Sequence, residues 1–175
     1  MALLFLVGYA GSGKSSLGRR LARRLDCKFV DTDKLVEQRV GASVADIFYY
    51  EGEEYFRRSE RETLESLTSM EGEDVVVATG GGMPTWSDNM AWMNEHGTAI
   101  YVRRSCEQII ARLTEYGREK RPMFRGKSDE ELRMFMRQQM AEREKFYAQA
   151  TIRVDCDAMS DDAAVEYIAN ELKSR

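Results

Sequence analysis

A glycine-rich segment near the start of the chain has the residue types and spacing of a phosphate-binding loop. It reads GYAGSGKS from Gly8 to Ser15 and stands between a predicted strand and a predicted helix. Its glycines let backbone N–H groups turn towards phosphates, Lys14 can reach the β- and γ-phosphates, and the Ser15 hydroxyl can bind Mg²⁺. An ordinary glycine-rich turn is the alternative, but the match over the whole segment favours nucleotide binding. It does not identify the reaction.

Two carboxylates, Asp31 and Asp33, follow the second apolar run, which we predict to be a strand. Both should lie at the carboxyl edge of a parallel sheet, the edge that also holds the phosphate loop. One could act on Mg²⁺ through water while the other accepts the proton of a substrate hydroxyl. The alternative is a helix N-cap and a second acid that interacts with the helix dipole, and the pattern alone favours neither.

An arginine and a glutamate begin one face of the helix predicted over Glu53–Met70. That face comprises Arg57, Glu60, Leu64 and Leu67. A partly buried arginine beside a carboxylate is a good anion receptor, because its planar fork matches a carboxylate bidentately. A structural ion pair at the helix end is the alternative.

A second arginine interrupts the apolar face of the helix predicted over Asp129–Tyr147. That face comprises Leu132, Met136, Met140, Arg143 and Tyr147. A lone arginine in such a position must reach water or meet an anion. Together the two arginines indicate a small anionic substrate.

Three glycines close the strand predicted over Val75–Ala78, in the run TGGG from Thr79 to Gly82. Glycines at the carboxyl end of a central strand allow a ligand to approach the backbone closely. The strand does not end in the aspartate that many phosphate-loop enzymes use for Mg²⁺, so we expect Asp31 to take that role.

A basic segment, REKRPMFRGK from Arg118 to Lys127, is bounded by Gly117 and Gly126. It fits a mobile lid that brings positive charge over a transferring phosphoryl group and excludes water. A basic surface loop is the alternative. The single histidine, His96, stands near a helix end, and we assign it no chemistry.

The elements that must position these residues alternate between strands and helices, which predicts an α/β fold with a parallel sheet covered on both faces. The predicted strands are Ala2–Val7, Lys28–Val30, Val75–Ala78, Thr98–Val102 and Thr151–Val154. The predicted helices are Lys14–Leu25, Lys34–Val40, Glu53–Met70, Ser87–Glu95, Cys106–Glu115, Asp129–Tyr147 and Asp161–Lys173. Ser43 is expected to cap a short turn after the second helix.

The composition is that of an ordinary folded protein. Lys and Arg total 26 and Asp and Glu 30, so the net charge of −4 excludes a basic nucleic-acid binder. Cys27, Cys106 and Cys156 are far apart and odd in number, and they show neither a disulfide framework nor the spacing of a metal motif. The apolar start of the chain is too short to span a membrane and lacks the features of a signal peptide. We therefore expect a cytoplasmic protein.

The ordered combination of motifs resembles the shikimate kinase family, in the nucleoside-monophosphate-kinase-like group of phosphate-loop proteins. The resemblance spans nearly the whole chain and rests on the phosphate loop, the DTD run at 31–33, the FRRSE run at 56–60, the TGGG turn, Arg121-Pro122 and Arg143. It implies a three-layer α/β/α sandwich of the P-loop NTPase fold, with a five-stranded parallel sheet in the order 2-3-1-4-5. It also implies one domain over residues 1–175, usually monomeric, with a substrate-binding helical region at about 33–61 and a mobile lid at about 116–128.

By this resemblance, the γ-phosphoryl group of ATP passes to the 3-hydroxyl of shikimate, on the route to chorismate and aromatic amino acids. ATP would be bound by Gly11, Ser12, Gly13, Lys14, Ser15, Ser16, Arg112 and Arg121. Shikimate would be bound by Asp33, Arg57, Glu60, Gly80, Gly81, Gly82 and Arg143. Catalysis would depend on Lys14, Asp33 and Arg121, with Mg²⁺ held by Ser15 and, through water, by Asp31.

Arg112 would lie against the adenine by the same resemblance. A second basic residue that the family often carries after the last strand is not evident at Asp157, Ala158 and Met159. The adenine contacts are therefore where this sequence departs from the family pattern.

Two other functions compete with the kinase that the resemblance implies. One is another small-molecule kinase of this fold, for gluconate or a nucleotide. The other is a non-catalytic nucleotide-binding regulator, which should lack Lys14, Asp33 or the substrate arginines, although all are present. We expect neither nucleic acid nor membrane as a partner.

Overall fold

Five parallel strands form the central sheet of the computed structural model, which describes residues 2–70, 73–119 and 121–175. The strands are β1 (Leu3–Val7), β2 (Lys28–Asp31), β3 (Val75–Ala78), β4 (Thr98–Arg103) and β5 (Ile152–Asp155). Their order in the sheet is β2-β3-β1-β4-β5, and every neighbouring pair is parallel. The predicted strand order is confirmed.

Helices follow the strands along the chain and cover the sheet. They are α1 (Lys14–Leu25), α2 (Thr32–Val40), α3 (Val44–Tyr50), α4 (Gly52–Ser66), α5 (Asn89–His96), α6 (Cys106–Arg112), α7 (Glu115–Glu119), α8 (Asp129–Tyr147) and α9 (Asp161–Lys173). Short 3-10 turns lie at Leu67–Ser69, Met83–Thr85 and Pro122–Phe124. None of the helices in the described ranges is long and apolar enough to cross a membrane.

The sheet is buried on both faces, which explains why β1 and β3 read as unbroken apolar runs. Alternate side chains point to opposite faces, so Phe5 packs with residues of α4, α5, α6 and α8, whereas Leu6 packs with residues of α1 and α9. The two cores fix the carboxyl ends of the strands, and with them the loops that follow.

A separate small core joins the helices of the predicted substrate-binding region. Val36 of α2, Ile47 of α3 and Phe56 of α4 are buried against one another. Ser43 caps α3 as predicted, since its side chain accepts a hydrogen bond from the Asp46 N–H. This core holds α4, and therefore Arg57, at a fixed distance from the sheet.

The predicted helix Cys106–Glu115 is wrong beyond Arg112. Leu113 is extended, with φ −81° and ψ 110°, and ends α6. The Thr114 hydroxyl then accepts a hydrogen bond from the Gly117 N–H and starts α7. A threonine competes with the helix for backbone N–H groups in this way, so the break has a local cause.

Three other helix ends differ from the prediction by two residues or more. The helix α2 begins at Thr32, two residues early, because the Asp31 side chain caps it. The helix α4 ends at Ser66 and continues as a tighter 3-10 turn. The helix α5 begins at Asn89, because Ser87 has a positive φ of 50° that no helix allows.

Candidate active site

Loops from the carboxyl ends of the sheet surround one cavity of about 540 Å³. Most of the predicted site residues line it. They are Gly11, Gly13, Lys14, Ser15, Ser16, Asp31, Asp33, Arg57, Glu60, Gly80, Gly81, Gly82, Arg121 and Arg143. The cavity therefore joins the phosphate loop to the acidic pair and to both arginines.

Two predicted residues lie outside this lining. Ser12 is fully buried in the loop, and its hydroxyl has no hydrogen-bond partner among the residues that the structure describes. Arg112 is exposed at the end of α6, where its Nη2 lies 3.5 Å from an oxygen of Asp161.

The phosphate loop owes its shape to its glycines. Gly8 has a φ of 144°, and a Cβ there would lie 2.6 Å from the Val102 carbonyl oxygen. Gly13 is left-handed at φ 97° and directly precedes α1, so the N–H groups of the first helical turn face the cavity. The loop thus has the geometry of an anion site at a helix N-terminus.

Lys14 is the buried cation of the loop. Its Nζ donates hydrogen bonds of 2.8 Å to the carbonyl oxygens of Gly8 and Tyr9. Burial lowers the pKa of Lys14 to about 8, although the Asp33 carboxylate acts in the opposite direction. An anion bound in the loop would favour the charged form of this lysine.

Asp31 uses both of its oxygens. Oδ1 accepts a hydrogen bond from the Asp33 N–H and caps α2, so the capping alternative is confirmed for this residue. Oδ2 accepts a 2.6 Å hydrogen bond from the Ser15 hydroxyl. A carboxylate and a hydroxyl beside a phosphate loop are hard oxygen donors of the type that Mg²⁺ prefers, so the donor set fits this cation.

Asp33 points its carboxylate into the cavity. Its Oδ1 is shielded from solvent and has no partner within the described part of the chain. Burial raises the pKa of Asp33 to about 6, Asp31 raises it further and Lys14 opposes the rise. Such a carboxylate needs a hydrogen-bond donor, and a substrate hydroxyl would supply one.

Arg57 and Glu60 form the predicted buried pair on α4. Arg57 Nη1 donates to Glu60 Oε2 at 2.6 Å, and Nη2 lies 3.1 Å from Glu53 Oε1. Burial raises the pKa of Glu60, and the neighbouring guanidinium opposes that rise. Two carboxylates therefore hold the Arg57 side chain and neutralise most of its charge.

The glycine run after β3 permits this crowding. A Cβ on Gly80 would lie 2.5 Å from Glu60 Oε1 and 2.8 Å from Asp33 Oδ1. A Cβ on Gly81 would lie 2.8 Å from the Ala10 nitrogen. A side chain at Gly80 would therefore clash with the Glu60 and Asp33 carboxylates, and one at Gly81 would clash with the backbone of the phosphate loop.

Arg143 reaches the same cavity from α8 without a carboxylate partner. Its guanidinium lies 5.7 Å from the centre of the Tyr9 ring, and its buried Nη1 has no hydrogen-bond acceptor among the described residues. Across residues 2–70, 73–119 and 121–175 it forms no ion pair, whereas Arg57 forms two. Arg143 is thus the less neutralised of the two arginines.

The predicted lid segment contributes Arg121 and Met123 to the cavity wall. Burial lowers the pKa of Arg121, and Asp33 opposes that shift. Phe124 is fully buried and stacks on Tyr9 with 6.4 Å between ring centres. Lys120 lies outside the described residues, and the mobility of this segment stays a prediction.

A family model for shikimate kinase matches residues 10–173. The chain belongs to the shikimate kinase family. The shikimate kinase of Parabacteroides distasonis is 41% identical over 172 residues, which cover 98% of each chain. The fold agrees with the crystal structure of shikimate kinase from Bacteroides thetaiotaomicron, with a TM-score of 0.89, 33% identity and 98% of each chain covered.

A further solved relative is the shikimate kinase of Acinetobacter baumannii in complex with shikimate. It is 28% identical and has a TM-score of 0.88, with 99% of this chain and 94% of that one covered. Shikimate kinases are ATP-dependent transferases with a P-loop fold. The two competing functions, a kinase for another small molecule and a non-catalytic regulator, are therefore not favoured.

Several cavity residues of this shikimate kinase family member were not predicted. Val44, Phe48 and Phe56 form an apolar wall of the cavity, and Gln139 accepts a 2.6 Å hydrogen bond from the Tyr9 hydroxyl. Two signals were present: Phe56 directly precedes Arg57, and Gln139 lies one helical turn before Arg143.

Proposed function

We propose that this chain transfers the γ-phosphoryl group of ATP to the 3-hydroxyl of shikimate, giving shikimate 3-phosphate and ADP. The observation that carries the proposal is the single cavity that joins Lys14 of the phosphate loop to Asp33 and to both arginines. Family membership supports the reaction, and the relative crystallised with shikimate supports the acceptor.

The acceptor side would hold a small hydroxylated acid. In this proposal the guanidinium groups of Arg57 and Arg143 bind its carboxylate, and Glu60 keeps Arg57 in place. The backbone at Gly80, Gly81 and Gly82 lines the pocket, while Phe48 and Phe56 pack against the apolar part of the ring. The cavity volume of about 540 Å³ suits the phosphate groups and one small molecule together.

The transfer itself needs alignment and positive charge more than covalent chemistry. Lys14 and Arg121 would neutralise the charge that develops on the transferring group. Asp33 would orient the acceptor hydroxyl and take its proton late, because an alcohol is too weak an acid to lose it beforehand. Ser15, and Asp31 through water, would hold Mg²⁺, which supplies charge neutralisation at the phosphate oxygens.

The proposal includes the nucleotide contacts and the setting of the enzyme. Gly11, Ser12, Gly13 and Ser16 complete the phosphate site, and Arg112 lies against the adenine. The enzyme would act as a cytoplasmic monomer without a nucleic-acid or membrane partner. Sedimentation velocity of the purified protein would give a single 20.1 kDa species if this assembly state is right.

A coupled assay of ADP release tests the function directly. We expect turnover with shikimate and none with gluconate or a nucleoside monophosphate, and phosphorus NMR should show one new phosphomonoester. The variant Lys14→Ala is the negative control and should abolish turnover. Turnover of another acceptor without shikimate would replace the proposal, and ADP binding without turnover of any acceptor would indicate a regulator.

A further inference from the structure

Arg104 is a buried guanidinium that the proposed reaction leaves without a role. It directly follows β4 and is 5% exposed. Its Nε donates to the Ser12 carbonyl oxygen at 3.1 Å, its Nη1 to the Cys156 carbonyl oxygen at 3.2 Å and its Nη2 to Asp161 Oδ1 at 3.1 Å. One side chain thus joins the phosphate loop, the end of β5 and the start of α9.

The contact with Ser12 falls on the peptide group that precedes Gly13. In a trans peptide the C=O and the following N–H point in opposite directions. A donor that holds the Ser12 carbonyl on the outer side of the loop therefore directs the Gly13 N–H to the inner side. The guanidinium lies alongside this peptide, since Nη2 is 3.9 Å from the position of a Cβ on Gly13.

We infer that Arg104 is a positioning residue for the nucleotide: it holds the Ser12–Gly13 peptide so that its N–H binds a phosphate oxygen. A charged donor on the carbonyl also polarises the peptide and strengthens the N–H as a donor. The inference rests on the proposed ATP site and adds a residue to its support. Sequence reasoning had no signal for it, because Arg104 meets the loop only once β1, β4 and β5 are aligned.

Asp161 extends this support towards the base. Its Oδ1 pairs with Arg104 and its Oδ2 lies 3.5 Å from Arg112, so one carboxylate bridges both guanidinium groups. If Arg112 lies against the adenine, the base side and the phosphate side of the site share this carboxylate. Arg104 itself acts at the phosphate end, through Ser12.

Calorimetric titration with two probes, Mg-ADP and Mg-pyrophosphate, separates these ends of the site. The variants are Arg104→Met, Arg104→Lys and, as the matched control from the same strand end, Arg103→Met. Arg103 pairs with Asp155 and Asp157, and none of its ion pairs or side-chain hydrogen bonds within the described residues is with the loop. Arg112→Ala reports the base end, since pyrophosphate has no base.

Arg104→Met should weaken the binding of both ADP and pyrophosphate about tenfold or more, as expected for loss of a charged hydrogen bond. Arg104→Lys should lie between Arg104→Met and the wild type, because an ammonium keeps the charge but cannot fork to three acceptors. In kinetics, KM for ATP should rise while KM for shikimate changes less than about twofold. Arg103→Met should leave both probes unchanged.

Unchanged pyrophosphate binding in both Arg104 variants would overturn the inference, as would equal losses for nucleotide and shikimate. If Arg104→Met does not fold, Arg104→Lys carries the same test with the same two outcomes. Failure of the proposed function is separable, because these titrations need no acceptor. A wild type that binds ADP but does not phosphorylate shikimate would still test Arg104.

Discussion

At the scale of single residues, the site holds buried ionisable groups for which the protein alone does not supply enough hydrogen-bond or charge partners. Asp33 has a shielded oxygen without a partner in the described structure, and burial lowers the pKa of Lys14 to about 8. Both groups cost stability in the free protein, and both face one cavity. Buried ionisable groups with shifted pKa values are typical of binding sites, where the ligand supplies the missing partner.

Asp33→Asn should stabilise the protein while it removes catalysis. At pH 7.5 we expect a gain of about 1–2 kcal/mol in unfolding free energy and a loss of about 100-fold in kcat, with ATP affinity little changed. The folded carboxyl titrates near 6 and the unfolded one near its ordinary value, so its destabilising effect develops as pH rises between them. Urea denaturation at pH 7.5 and 4 should therefore show the gain at the higher pH only. A variant less stable than the wild type at pH 7.5 would contradict this.

The two shifted groups also predict a bell-shaped pH dependence of kcat/KM, which reports on the free enzyme. Since Asp33 must be ionised, kcat/KM for shikimate should fall as pH drops below about 6. Since Lys14 must be charged, kcat/KM for ATP should fall as pH rises above about 8. An acid limb near 4, the ordinary value for a carboxyl, would exclude Asp33 as the group responsible. The residual activity of Lys14→Arg should lack the basic limb, because a guanidinium stays charged.

At the scale of elements, two helices present their arginines in different electrostatic settings. Arg57 of α4 lies between Glu53 and Glu60, while Arg143 of α8 lies over the Tyr9 ring and beside the Tyr147 hydroxyl and forms no ion pair among the described residues. The helix α4 therefore provides an oriented fork with little net charge. In the proposed site, the helix α8 would provide the positive charge that attracts the anion.

This difference predicts distinct outcomes for two alanine variants. Arg143→Ala should raise KM for shikimate at least tenfold and leave the melting temperature unchanged or higher, because it removes a half-buried cation that has no carboxylate partner among the described residues. Arg57→Ala should raise KM and also lower the unfolding free energy by about 3 kcal/mol, because Glu60 stays buried without its partner. The double variant Arg57→Ala/Glu60→Gln should recover stability but not KM. Kinetics and thermal denaturation of the three variants measure both effects, and equal stability losses for Arg57→Ala and Arg143→Ala would refute the distinction.

Elements with strong local signals could be predicted from the sequence. The bounds of α1, α8, α9 and β3 agree with the prediction, since each has a cap, a glycine or a β-branched run at its ends. The break after Arg112 was missed because Thr114 acts through one hydroxyl against a favourable helical pattern. The apolar wall of Val44, Phe48 and Phe56 depends on how α3 and α4 pack with each other and with α2. No local sequence pattern predicts that packing.

At the scale of the whole molecule, a protein with a net charge of −4 brings four cationic side chains to one cavity, which four carboxylates also line. Lys14 faces that cavity from the loop, Arg121 from the lid segment and Arg143 from α8. The apolar side chains packed in the two cores on either face of the sheet offset the free-energy cost of burying these charged groups. Ligands that neutralise them should stabilise the entire fold by mass action.

Thermal denaturation with each ligand alone and with both should resolve the two halves of the cavity. Mg-ADP or shikimate at 100 times its dissociation constant should add about 2.7 kcal/mol, or about 5–10 °C for a chain of this size. In Lys14→Ala, ADP should no longer raise the melting temperature, whereas shikimate still should. In Arg143→Ala, shikimate should no longer raise the melting temperature, whereas ADP still should. The methyl ester of shikimate, which lacks the carboxylate charge, should give little shift with any of the proteins.

With both ligands present, the shift should exceed the sum of the two single shifts. Arg121 and Met123 line the same cavity as the phosphate loop and the two arginines Arg57 and Arg143, so a first ligand that orders this segment would reduce the ordering cost for the second. The variant Phe124→Ala, which removes the buried anchor stacked on Tyr9, should bring the combined shift back towards the sum. A strictly additive shift in the wild type would mean that the segment is already fixed in the free protein and does not move as a lid.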